Sequence, residues 1–278
     1  MRNLSFDEQW ITARNYAVDH PNKIHSDDTA LRFGFAGALV PGVALFAYLI
    51  EPVLKILGPD WLERGTVSVK FIKPVYDGAE VCVRAHVDKA SPSTLSLGLF
   101  DSENATCAVA DASLPPSPGA ISAADYPFRD MPPSEMRRVA RSDGVPVGEV
   151  LGSLDVTLDL GALEETFLDE MGSALPIFRG PEAICHPAYL LVQANELLAR
   201  NVKLGPWIHT ASVIQNFALP KNGEQLSLRG GVLDSGQKRG HEFIIVDLAM
   251  FGREDRPIAS IRHSALIQLR EQVSSSEA

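Results

Sequence analysis

Apolar and polar positions along the chain fall into two successive blocks with the same order. A polar run, Asp-His-Pro-Asn-Lys-Ile-His-Ser-Asp-Asp at residues 19–28, leads into an uncharged stretch at residues 33–50. Pro41 suits a first helical turn, and Gly58-Pro59 is a stop signal, so a helix is predicted over residues 41–57. Its first part, through residue 50, carries no charge, which predicts a helix buried on all sides. Strand-like runs follow at residues 65–73, 80–87, 93–102 and 105–114. The second block predicts a helix over residues 187–201, with Ala188, Leu191, Val192, Ala194, Leu197 and Leu198 on its apolar face and Gly205-Pro206 behind it. Strand-like runs then recur at residues 207–219, 225–233, 242–251 and 257–269.

The correspondence extends to the turns. Pro220 to Gly223 occupies the slot that Pro74 to Gly78 holds in the first block, and residues 226–232 parallel residues 81–87. This pattern predicts two copies of one α+β unit, each a long helix followed by an antiparallel sheet that wraps around it. A sheet with one apolar face must cover that face, and two such units can pair edge to edge. The predicted division is residues 1–114, a proline-rich linker at 115–148 (Pro115, Pro116, Pro118, Pro127, Pro132 and Pro133), and residues 149–278.

Composition narrows the picture. The chain has 278 residues, 45% of them hydrophobic, enough for one large core or two of ordinary size. A net charge of −10 argues against a general nucleic-acid surface. Cys82, Cys107 and Cys185 are scattered, giving neither a disulfide framework nor a zinc box. The start, MRNLSFDEQW, lacks the apolar centre of a signal peptide. Residues 33–50 have the length of a short membrane span, but Pro41-Gly42 interrupts them and no companion span exists. A cytoplasmic protein is expected.

His25 is the leading chemical candidate. It titrates near neutrality and sits among Asp19, His20, Asn22, Ser26, Asp27 and Asp28. Such a group serves in acid–base catalysis, or equally sits in a surface loop capped by Ser26 or Asp27. Gly42, at a predicted helix start, offers a backbone N–H with no intrahelical partner, or simply allows tight packing there. Alternation from Trp207 to Ser212 puts Trp207, His209 and Ala211 on one strand face. His209 is then a ligand contact or a structural histidine. No HExxH, GxSxG, Walker or complete dinucleotide fingerprint occurs, so no metal is expected. Lys70, Lys73 and the arginines at 137, 138 and 141 are phosphate contacts or solvated surface.

Three stretches together resemble the MaoC-like dehydratase and (R)-specific enoyl-CoA hydratase family. They are Asn22-Lys-Ile-His25-Ser-Asp27, then Phe33-Gly-Phe-Ala-Gly-Ala-Leu-Val-Pro-Gly42, and Val69-Lys-Phe-Ile-Lys-Pro-Val-Tyr-Asp-Gly78. In the second block His186-Pro, the run from Gly205 to His209, Gly240-His-Glu-Phe and Arg262-His carry the likeness. The resemblance implies a double hot-dog fold, two antiparallel sheets each around a central helix. It implies reversible hydration of an acyl thioester, enoyl-CoA to 3-hydroxyacyl-CoA, with acyl-CoA or acyl-carrier protein as partner and no cofactor. Neither nucleic acid nor membrane is implied; a homo-oligomer is compatible. His25, Asp19, Asn22 and Gly42 would be catalytic, with His20, Val40, Pro41 and His209 lining the substrate path. The motif departs in three places: Lys23 stands where the family has proline, His20 where it has the catalytic aspartate, and Pro41 where it has histidine before the glycine. Asp19 lies one residue early. These departures keep open a thioesterase or related hot-dog enzyme, and a catalytically inactive subunit that binds acyl thioesters.

Overall fold

The computed structural model describes residues 8–88 and 90–270, so the N-terminal stretch read against a signal peptide lies largely outside the described residues, as do the last eight. In chain order the elements are β1 (Gln9–Thr12), α1 (Asp27–Arg32), α2 (Gly42–Leu57), α3 (Trp61–Arg64), β2 (Thr66–Phe71), β3 (Glu80–Val87), β4 (Thr94–Asp101) and β5 (Thr106–Ser113). They continue as β6 (Arg138–Val139), β7 (Leu154–Thr157), α4 (Leu160–Glu165), α5 (Phe167–Glu170), α6 (Ala188–Asn201) and β8 (Val202–Lys203). The last four are β9 (Ile208–Asn216), β10 (Gln225–Lys238), β11 (His241–Phe251) and β12 (Pro257–Gln268).

Both long helices and the eight long strands stand where the apolar pattern puts them. The repeat is architectural as well. The sheet order is β1-β3-β4-β5-β2-β9-β12-β11-β10-β7, so the second half reads as the first half reversed about its centre. Helix α2 packs on β3, β4 and β5; α6 packs on β7, β10 and β12. Even the turns match: Gly78 and Gly223 have φ of 74° and 73°, the left-handed region open to glycine.

One expectation is corrected. The two predicted sheets are a single ten-stranded sheet, because β2 and β9 pair antiparallel from Thr66↔Gln215 to Lys70↔Ala211. Each half ends on a strand with unpaired N–H and C=O groups, and pairing the two satisfies both edges. Eight short elements escaped the pattern: β1, β6, β7, β8, α1, α3, α4 and α5 hold two to six residues each, too few for a period to show. The proline-rich segment lies against the second half, where Tyr126 Oη donates to Asp247 at 3.0 Å and the Ser142 N–H to Glu242 at 3.0 Å.

Helix α2 is the centre of the first half. Every residue from Val43 to Ile50 is buried. Burying a side chain such as Phe46 or Leu49 contributes about 1.5–3 kcal/mol. Helix α6 touches α2, and the apolar core runs without a break through both halves. No helix among the described residues is long and apolar enough to cross a membrane.

Candidate active site

The polar run folds as a short loop over the start of α2. Ile24 anchors it, fully buried with Ala30, Leu39 and Leu269. Asp27 accepts the Ala38 N–H at 2.7 Å, and the Leu39 N–H donates to the Ile24 carbonyl at 3.3 Å. Val40 N–H then bonds the Val75 carbonyl at 2.8 Å. Residues 38–40 thus tie the loop to the strand region and lead directly into Pro41 and the first turn of α2. Asn15 Nδ2 adds a bond to the His25 carbonyl at 2.9 Å.

This bracing sets the state of His25. Its Nδ1 lies 2.7 Å from the Leu39 carbonyl oxygen. A carbonyl only accepts, so Nδ1 carries the proton and Nε2 keeps its lone pair. Burial holds the pKa down at about 4; the Leu39 carbonyl opposes this and nearby His20 adds to it. At neutral pH His25 is therefore a neutral base.

Asn22 is buried and spans the halves. Its Nδ2 donates to the Trp207 carbonyl at 3.0 Å, and its Oδ1 accepts the Trp207 N–H at 3.2 Å. Nδ2 also lies 3.5 Å from His25 Nε2.

His25, Asn22, His20, Val40, Pro41, Gly42, Phe71, Trp207 and His209 all border one cavity of about 410 Å³. The wall is mostly apolar, with Leu45, Val43, Phe167 and Val192 among its residues. Gly42 is the first residue of α2, so its N–H lacks an intrahelical acceptor. A Cβ there would stand 3.0 Å from Phe71 Cε2 and 3.3 Å from His209 Nδ1, which leaves no room for a larger residue without displacement.

His209 lies behind this glycine, buried and stacked on His263 at 4.2 Å between ring centroids. Its Nε2 is 3.2 Å from the Ala211 carbonyl and 2.8 Å from Ser212 Oγ, which in turn meets His263 Nδ1 at 3.0 Å. Burial lowers the pKa of both, His263 to about 3.

Seven of the eight sequence candidates meet at this cavity. Asp19 does not: it is exposed and borders no part of it, while His20 does. His20 Nδ1 accepts the Asn22 N–H at 3.1 Å. Sequence reading missed Phe71 and the Leu39 carbonyl. The first looks like any strand hydrophobe, and the second acts through its backbone. Lys73 pairs with Asp101 and borders the cavity. No group of three metal-ligating side chains occurs among the described residues.

No protein-family model matches the sequence, and no curated protein matches it. Solved structures do. A protein described as a MaoC-like dehydratase superposes with a TM-score of 0.61 at 11% identity, over 94% of this chain and 96% of that one. A Mycobacterium tuberculosis protein described as a double hotdog fold gives 0.58 at 13% identity, over 93% and 95%. The chain has the double hot-dog fold. An acyl-ACP thioesterase from Bacteroides thetaiotaomicron shares it, with a TM-score of 0.51 at 10% identity, over 95% of this hot-dog chain and 98% of that one.

Proposed function

We propose that this double hot-dog protein processes acyl thioesters by reversible hydration and dehydration between a 2-enoyl and a 3-hydroxyacyl form. The observation that carries the reading is that a neutral imidazole base and a helix-terminal N–H with no intrahelical acceptor belong to residues bordering one mostly apolar cavity. Dehydratases and thioesterases of similar fold support acyl-thioester processing in general.

In the hydration direction, His25 Nε2 takes a proton from water as the water oxygen bonds to Cβ. The double-bond electrons move to the thioester oxygen, where the Gly42 N–H stabilises the developing charge. A donor so placed contributes about 3–4 kcal/mol. The imidazolium then delivers its proton to Cα, restoring the base. The apolar wall holds the acyl chain, and CoA or an acyl-carrier protein supplies the thioester.

Thioester hydrolysis is the second reading, favoured by the thioesterase neighbours. The same base would direct water to the carbonyl carbon, and the same N–H would hold the oxyanion. Enoyl thioesters of graded chain length, assayed at once for loss of conjugated absorbance and for free thiol, separate the two. Absorbance loss without thiol supports hydration; thiol release supports hydrolysis. Binding without either supports a non-catalytic acyl-thioester subunit and ends the hydratase reading.

A further inference from the structure

His20 stands where a carboxylate would complete the hydratase motif, and the fold fixes which of its nitrogens faces outward chemically. The Asn22 backbone N–H donates to His20 Nδ1 at 3.1 Å. A backbone N–H cannot accept, so Nδ1 holds a lone pair and the neutral ring carries its proton on Nε2. His25 is locked the opposite way, its Nδ1–H on the Leu39 carbonyl and its Nε2 lone pair met by Asn22 Nδ2 at 3.5 Å. Both rings border the cavity, edge to face, with centroids 6.3 Å apart. A single oxygen held by both rings would make hydrogen bonds of roughly 2.8–3.0 Å to each.

We infer that His20 Nε2–H and His25 Nε2 grip a single hydroxyl oxygen, one donating to it and the other accepting from it, and that the preferred ligand is a 3-hydroxyacyl thioester. The inference rests on the acyl-thioester reading of the cavity. A carboxylate at position 20 would only accept, and two acceptors suit the two hydrogens of a water molecule. One donor and one acceptor suit an alcohol, which has a single hydrogen to give. Asn22 Nδ2 gives one hydrogen to the Trp207 carbonyl at 3.0 Å and lies 3.5 Å from His25 Nε2, a long contact that a hydroxyl at ordinary distance displaces. In dehydration His25 takes the Cα proton, whose bonding pair becomes the double bond. The imidazolium then passes that proton to the hydroxyl oxygen as the C–O bond breaks, and water leaves. His20 keeps its own proton throughout and steadies the departing oxygen.

The test is calorimetric binding of matched CoA thioesters of four, eight and twelve carbons, saturated and 3-hydroxylated in both configurations. It compares the wild type with His20→Asp, which exchanges the donor for acceptors, and His20→Phe, which removes polarity. The expected result is about tenfold tighter binding of one hydroxyacyl enantiomer over its saturated counterpart. Both variants should lose that preference, and their melting temperatures, measured alongside, report an intact fold. Equal binding of both ligands by the wild type, or a preference that survives in His20→Asp, overturns the grip and leaves the thioester site standing. Failure of the wild type to bind any of the thioesters overturns the thioester reading and the grip together.

Discussion

Asn22 and Trp207 exchange two hydrogen bonds across the two halves of the chain, side-chain amide to backbone amide, at 3.0 and 3.2 Å. The residue three places before the base is thus fixed to the strand that begins the second half's sheet. The loop that carries His25 belongs to the first half by sequence and to both halves by bonding. Asn22→Ala leaves a buried N–H and C=O of Trp207 unpaired. About 2 kcal/mol of stability should be lost in urea unfolding. Turnover of the thioester substrate should fall more than its KM rises, since the base loses its brace. An unchanged unfolding midpoint would show that solvent replaces both bonds freely.

His25→Ala should cost roughly 10²–10⁴ in kcat, the usual contribution of a general base. Because burial holds His25 near 4, the acid limb of kcat/KM should fall close to pH 4 rather than near the ordinary imidazole value. A limb at 6.5 would mean that the base in the free protein is solvated.

Gly42→Ala should cost both activity and stability. The new methyl would stand 3.0 Å from Phe71 Cε2 and 3.3 Å from His209 Nδ1, so both rings must shift to admit it. Overpacking of this kind costs about 1–3 kcal/mol, and displacement of the first turn moves the N–H from the thioester oxygen. Thermal melting and steady-state rates measure the two effects separately.

Asp19→Asn should leave rate and affinity within about twofold, the ordinary outcome at an exposed surface position. This separates the carboxylate adjacent to the motif from His20, which borders the cavity. A hundredfold loss in Asp19→Asn would return the acid–base role to that carboxylate.

The fold should weaken in acid through its histidines. His25, His186, His209 and His263 all have lowered folded pKa values, first of all from burial. In the unfolded chain they titrate near 6.5, so below that pH the unfolded state binds more protons. Stability is full above about 6.5 and declines as pH falls toward 4, by up to about 1.4 kcal/mol per pH unit for each group. Melting temperatures measured from pH 7 to 4 should drop steeply below 6.5, and His263→Asn should flatten the drop.

The apolar periodicity sufficed for α2, α6 and the eight long strands because each buries a face whose period survives in the sequence. It also carried the turn correspondence of Gly78 with Gly223. The site was partly readable: His25, Asn22 and Gly42 lie in a spaced motif, and all three border the cavity. Which of Asp19 and His20 borders the cavity was not readable. Neighbours in sequence on a loop point in directions set by hydrogen bonds, here Asn22 N–H to His20 Nδ1, and spacing does not encode those.

By itself, then, the sequence determined two α+β halves, their long helices, and the loop that carries an imidazole to a helix start, since these follow from local periodicity and turn chemistry. Only the tertiary structure decided that the halves share one sheet through β2 and β9, that Trp207 of one holds Asn22 of the other, and that Leu39 fixes the proton of His25. Those relations join residues far apart in the chain through backbone groups, which every residue type presents alike.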